Sequence, residues 1–253
     1  MFQKGTIVIS IDDGNADDFR IYENILSRHK LSATFNVVSG FVGESGRLTT
    51  EQLRSIYNDP QMEIAAHGHR HLNDDEDIKK GIEMLDQWLG MGVNEIGFAS
   101  PGSDLHLDDI REYADHYKSM GLLYIRTCGN SVPSERQLEI QRRLKAEGAT
   151  AYVIEGVARM HSSFEDMAVN SIAVLHNTQV DELKRLVDIA GEEKVCVVFM
   201  FHRTKKTGEK DYDSTWSYDY FQFEEFAEYL VEKRKNGEID VLTTKQAFLS
   251  AQA

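Results

Sequence analysis

Proline, cysteine and positive charge are all scarce in this sequence, and so are long apolar runs. Three prolines in 253 residues, with no low-complexity stretch, leave no obvious linker and point to a single domain over residues 1–253. Two cysteines, Cys128 and Cys196, match no redox or metal spacing. Cys196 sits in an apolar run and reads as a core residue, while a disulfide between the two is left open. No stretch reaches the ~20 apolar residues of a membrane helix. Lys and Arg number 28 against 42 Asp and Glu, a net charge of −14. That surface excludes nucleic acid and anionic membranes as expected partners.

The N-terminus, Met1-Phe2-Gln3-Lys4, runs directly into an apolar segment without a signal-peptide h-region. The expectation is a cytoplasmic protein, although a secreted chain already relieved of its export signal would look the same. Oligomeric state is unreadable.

What is abundant is alternation. Short apolar runs at 6–11, 33–38, 63–66, 96–100, 122–126, 151–156, 194–201 and 240–242 read as strands. Amphipathic stretches at 16–29, 50–57, 75–89, 107–120, 135–147, 180–190, 221–235 and 244–250 read as helices. The segment 157–177 fits neither pattern. Strands alternating with helices imply a parallel sheet with helices outside. The expected fold is α/β, a distorted (β/α) barrel of about seven parallel strands, with a doubly wound open sheet as the alternative. In both, functional groups belong at the carboxyl ends of strands.

Polar residues do fall there. The first strand ends Ile11-Asp12-Asp13-Gly14, two adjacent carboxylates that repel each other unless a cation or donors lie nearby. A helix N-cap region explains the same residues about equally well. The third strand ends Ala66-His67-Gly68-His69-Arg70-His71. A helical turn would put His67 and His71 on one face and turn His69 away, making the first two a ligand pair. A late strand ends Phe201-His202. One carboxylate and two imidazoles suit a divalent ion with open positions, zinc by default and cobalt, nickel or manganese as alternatives. A second carboxylate and a separate His then suffice for acid–base work on an ester or amide.

These residues resemble a known family. Ile11-Asp12-Asp13-Gly14 and His67-Gly68-His69-Arg70-His71 are similar to the first two motifs of polysaccharide deacetylases (carbohydrate esterase family 4, the NodB-type domain). Phe98-Ala99-Ser100-Pro101-Gly102 resembles the third motif, and Phe199-Met200-Phe201-His202 the late leucine-x-histidine motif. The resemblance implies hydrolysis of N-acetyl groups on N-acetylglucosamine-containing saccharides. It implies Asp12 as general base, His202 as general acid, and Asp13, His67 and His71 as metal ligands. Pro101, Gly102 and Trp216 are the expected substrate contacts, although Trp216 with Tyr212, Tyr218 and Tyr220 fits a packed loop slightly better.

Two departures stand out. The family's third motif begins with an Arg that pairs with the catalytic Asp, and this sequence has Ala99 there. Arg70, Arg126 and Arg203 are the possible replacements. The fourth motif's Asp and Trp are not recognisable. Two other functions therefore stay open: hydrolysis of a small non-sugar N-acyl or C–N substrate, and a non-catalytic carbohydrate-binding relative.

Overall fold

A computed structural model describes residues 2–164 and 166–252. Its strands are β1 (Gly5–Asp12), β2 (Ala33–Val37), β3 (Met62–Ala66), β4 (Ile96–Ala99), β5 (Leu122–Thr127), β6 (Ala168–Asn170), β7 (Ile172–Ala173), β8 (Cys196–Phe201), β9 (Arg203–Lys205), β10 (Ser217–Asp219) and β11 (Ile239–Leu242). Its helices are α1 (Ala16–Ile21), α2 (Ser27–His29), α3 (Thr50–Tyr57), α4 (Asp75–Leu89), α5 (Leu107–Glu112), α6 (Ala114–Ser119), α7 (Glu135–Ala146), α8 (Ala151–Val157), α9 (Val180–Glu193), α10 (Tyr220–Lys235) and α11 (Thr244–Ser250). A π-helical turn, Tyr22–Leu26, joins α1 to α2.

All pairings in the main sheet are parallel, in the order β6-β5-β4-β3-β2-β1-β8-β7. Only Ser171 separates β6 from β7, so one segment pairs with β5 through its first half and with β8 through its second. That segment closes the ring into the expected distorted barrel. β1 forks on its other side: its upper half pairs with β2, and its lower half, Gly5 to Val8, pairs with β11.

Strand periodicity of two sorts the side chains. Ile7, Ile9 and Ile11 of β1 and Val197, Phe199 and Phe201 of β8 join the large apolar cluster formed with the surrounding helices. Val8, Tyr124, Val169, Cys196 and Val198 form a second, smaller cluster within the barrel, plugged by Ala247 and Phe248 of α11. By the same alternation, Ser10 and Asp12 of β1, Asn36 of β2, Arg126 of β5 and Met200 of β8 point inward near the carboxyl end. Both cysteines are free, and Cys196 is buried as expected. Among the described residues, no helix is long and apolar enough to cross a membrane.

Two expectations fail. The run at 151–156 is not a strand but helix α8, capped by the Thr150 hydroxyl accepting from Val153 N–H. Its β-branched residues pack in the helical sense: Val153 and Val157, one turn apart, are buried while Ala151 and Glu155 are exposed. The strand missing from the count is instead Ala168–Ala173, inside the segment that fitted no pattern. The stretch 107–120 also divides into α5 and α6 at Tyr113.

Candidate active site

The first carboxylate, Asp12, is the last inward residue of β1 and is 2% exposed. Asn36 Nδ2 donates to its Oδ1 at 2.7 Å and to Ser10 Oγ at 2.8 Å. Arg126, itself 1% exposed, reaches across the barrel from β5 and donates through Nη2 to both Asp12 oxygens at 2.5 Å. Its Nη1 meets Met200 Sδ at 2.8 Å. Burial alone would raise the Asp12 pKa, but the Arg126 guanidinium, with His67 and His202, outweighs it and holds the carboxylate below its ordinary range.

Arg126 thus occupies the role left open at Ala99. The two are register partners on adjacent parallel strands, so the guanidinium enters at the same level from one strand further round. Glycine on β4 makes room for its neighbour Tyr124. A side chain on Gly97 would lie 2.1 Å from the Tyr124 ring. The other two arginines are engaged elsewhere: Arg70 with Asp77 at 2.9 Å, and Arg203 with the Asp211 carbonyl at 3.2 Å.

Asp13 lies just past the end of β1 with φ +81°, a left-handed conformation that turns its carboxylate out of the strand's alternation. Its Oδ1 lies 3.6 Å from His67 Nε2 and 3.6 Å from His71 Nε2, and the two Nε2 atoms are 3.1 Å apart. Burial opposes ionisation of Asp13, while the positive charge that His67, His202 and His71 carry when protonated more than offsets it and lowers its pKa.

The imidazole pair converges as expected, but not on a helical turn. Residues 67–71 form a loop in which Gly68 has φ +77° and His71 φ +65°. The loop is shaped by Asp77 in the first turn of α4. Its carboxylate accepts from the backbone N–H groups of His69 at 2.9 Å, Arg70 at 2.9 Å and Leu72 at 3.0 Å, and from Arg70 Nε at 2.9 Å. A Cβ at position 68 would lie 2.6 Å from Asp77 Oδ2, so only glycine fits beneath the loop. His69 turns away and bonds Ser39 Oγ through Nδ1 at 2.9 Å.

Donor chemistry tests whether an ion fits. His67 Nδ1 lies 2.8 Å from the Ala99 carbonyl, which can only accept, so Nδ1 carries a proton and, in the neutral ring that binds a metal, Nε2 presents a lone pair. Tetrahedral zinc with bonds of ~2.0–2.1 Å separates its ligand atoms by about 3.3 Å. Separations of 3.1–3.6 Å among Asp13 Oδ1, His67 Nε2 and His71 Nε2 match that geometry. They are a group of three donors able to hold one ion. His67 is buried at the base, whereas the His71 side chain is 38% exposed, so the open side faces solvent.

His202 follows β8 and faces the same space, its Nε2 4.0 Å from Asp12 Oδ2. Burial lowers its pKa, against the opposing pull of Asp12 and Asp13. Its Nδ1 is buried without a hydrogen-bond partner among the described residues. In place of one, the ring packs against Trp216, with centroids 4.4 Å apart. The cause is register: β9 and β10 pair Arg203 with Ser217, which sets the preceding residues, His202 and Trp216, abreast. Trp216 is 41% exposed beside the site. Pro101 and Gly102 form a turn in which the Pro101 carbonyl accepts from Asn73 Nδ2 at 2.9 Å and from the Asp104 N–H at 3.3 Å.

Residues 2–120 match the sequence profile of the polysaccharide deacetylase family. The match contains Asp12, Asp13, His67, His71 and the Ala99-Ser100-Pro101-Gly102 turn, and stops short of Arg126 and His202. No curated protein matches the chain in sequence. Among solved structures, a carbohydrate esterase family 4 pseudoenzyme from Bacillus anthracis is 14% identical with a TM-score of 0.52, over 98% of this chain and 66% of that one. A mutant of that pseudoenzyme with restored enzymatic activity is 16% identical with a TM-score of 0.52, over 98% of this chain and 69% of that one. A polysaccharide deacetylase from Bacillus cereus is 14% identical with a TM-score of 0.49, over 72% of this chain and 51% of that one. The chain therefore spans about half the length of the Bacillus cereus deacetylase. At these identities the likeness to the Bacillus anthracis structures is one of fold.

Proposed function

We propose that the chain is a metal-dependent hydrolase that removes N-acetyl groups from saccharides containing N-acetylglucosamine. The observation that carries this reading is the convergence of Asp13, His67 and His71 at tetrahedral spacing, beside an ionised Asp12 pinned by Arg126.

Asp13, His67 and His71 would hold the ion. A divalent metal so held would supply Lewis acidity towards the acyl carbonyl and would lower the pKa of a water molecule enough for it to be deprotonated near neutral pH. Asp12, buried and fixed by Arg126 and Asn36, takes the proton from that water. His202 faces the same space and returns a proton to the departing amine nitrogen, so the amide bond breaks into acetate and a free amino sugar. The half-exposed Trp216 offers an apolar face to a sugar ring on the open side of the site. The match of residues 2–120 to the polysaccharide deacetylase profile supports a carbohydrate substrate.

The test is acetate release from N-acetylglucosamine oligomers, with zinc, cobalt, nickel or manganese titrated in. The expected result is turnover that depends on added metal and is lost in Asp13→Ala, His67→Ala and Asp12→Asn. Turnover indifferent to Asp13→Ala or His67→Ala contradicts the reading. Metal and sugar binding without turnover on any N-acetyl substrate would make the chain a non-catalytic binder, and turnover confined to non-sugar amides would move the substrate class.

A further inference from the structure

A cavity of about 620 Å³ opens in the outer helical layer, and it shares no lining residue with the Asp12, Asp13, His67, His71 and His202 site. Its volume lies within the roughly 300–1,000 Å³ of sites that take small organic ligands. The cause is local. β6 has only three residues, α5 stops after six, and α8 ends at Val157, so the layer over this edge of the barrel is incomplete. The base is apolar, formed by Ile140 of α7, Val157 at the end of α8, Met160 and Ala168, all buried.

The rim carries charge. Arg111 bonds Asp108 at 3.2 Å and Arg136 bonds Glu193 at 2.5 Å. Arg159 differs. Its Nε donates to the Gly129 carbonyl at 3.2 Å and its Nη1 to the Glu155 carbonyl at 3.5 Å. No carboxylate pairs with it among the described residues, and Nη2 has no acceptor there. A half-buried guanidinium is thus held in place by neutral partners at the edge of an apolar hollow. This occurs in a chain whose net charge is −14, where carboxylates are the commonest surface group. Oriented but uncompensated, that cation is suited to a charge-assisted hydrogen bond with an incoming anion.

We propose that this cavity binds a small monoanion with an apolar body, a carboxylate or sulfonate on an aromatic or short aliphatic frame. Its charge pairs with Arg159 and its body covers Ile140, Val157 and Met160. The site is separate from the deacetylation site and does not depend on it.

The test uses two fluorescent probes of similar shape, the anion 8-anilinonaphthalene-1-sulfonate and the uncharged N-phenyl-1-naphthylamine. They are titrated into the intact protein and two variants, Arg159→Gln and Ile140→Trp. The expected result is one saturable sulfonate site per chain. Arg159→Gln weakens it about tenfold or more, as loss of a charge-assisted hydrogen bond should, while the neutral probe keeps its affinity. Ile140→Trp fills the hollow and removes binding of both probes. Should that variant fail to fold, Arg159→Gln decides alone. No saturable site on the unaltered protein overturns the proposal. So does sulfonate binding unchanged by Arg159→Gln, or an equal loss for both probes in that variant.

Discussion

Arg126 and Asp12 face each other across the barrel, and Arg126 Nη2 donates to both carboxylate oxygens at 2.5 Å. The contact joins β5 to β1, two strands separated in the sheet by β4, β3 and β2. Both partners are buried, so neither is solvated by water. A buried carboxylate left without its cation would take up a proton rather than stay charged. The pair therefore keeps Asp12 ionised, the form that its proposed role as general base needs.

The sign of the resulting pH effect follows from the opposing influences on Asp12. Burial raises its pKa, and Arg126 is the largest influence lowering it. In Arg126→Gln the opposition falls away and the Asp12 pKa rises. The acid limb of the kcat/KM profile should move to higher pH, activity at neutral pH should fall by roughly 10²-fold, and activity should partly recover as the pH is raised. Arg126→Lys should show a smaller shift. A pH–rate profile that keeps its acid limb in Arg126→Gln would remove Arg126 from the mechanism.

Asp77 should control metal affinity without touching the ion. It orders the loop carrying His71 by accepting from three backbone N–H groups, those of His69, Arg70 and Leu72. Asp77→Ala leaves those donors unpaired and frees a loop that holds Gly68 and His71 at positive φ. Removing such an outer support weakens metal binding by ~10–100-fold in comparable sites. Zinc affinity measured by competition with a chromophoric chelator checks it, and an unchanged affinity contradicts it.

His161 should set part of the acid stability. Burial pushes its pKa down to about 4, against the opposing hydrogen bond to the Asn170 backbone. The unfolded chain has an ordinary histidine near ~6.5. Above pH ~6.5 the group is neutral in both states and contributes no pH dependence. As the pH falls from ~6.5 towards 4, the unfolded state binds the proton first, so stability is lost across that window, by on the order of 2 kcal/mol. Urea denaturation at pH 7.5 and pH 4.5 should show a smaller loss in His161→Gln than in the unaltered protein. Equal losses would show that this histidine is not the linked group.

Much of the site could be read from residue order because its members end apolar strands. Asp12, Asp13, His67 and His202 each stand at the carboxyl end of a run whose burial the composition already announced, and a parallel fold brings those ends together. The members that stayed hidden act through backbone geometry and distance. Asp77 looks like any acid in a helix's first turn. Its role emerges only because a loop eight residues back folds over it. Arg126 had a visible signal, a lone charge in Leu122-Leu123-Tyr124-Ile125-Arg126-Thr127 with the same strand parity as the inward Tyr124. Choosing it over Arg70 and Arg203 required knowing what lay across the barrel. Asn36 was hidden among the apolar residues of β2, where only parity with Thr34 marks it as inward.

The fold was legible to a similar depth. Regular alternation revealed the barrel, but not the segment that closes it. Ala168–Ala173 is short and interrupted by the polar pair Asn170-Ser171, and it is a strand because β5 and β8 each offer it hydrogen bonds from one side. Helix α8 was hidden by the opposite effect. Tyr152, Val153 and Ile154 favour strands, yet capping by Thr150 and packing against α7 and α9 override that preference.

Zinc titration of the metal-free protein, with Asp13→Ala, His67→Ala and His71→Ala in parallel, tests the central claim most directly. One ion per chain is expected in the unaltered protein, with affinity reduced at least about 100-fold in each variant, because removing any of three converging donors leaves too few to hold the ion. Binding that survives in all three variants, or the absence of any stoichiometric site, would contradict the account.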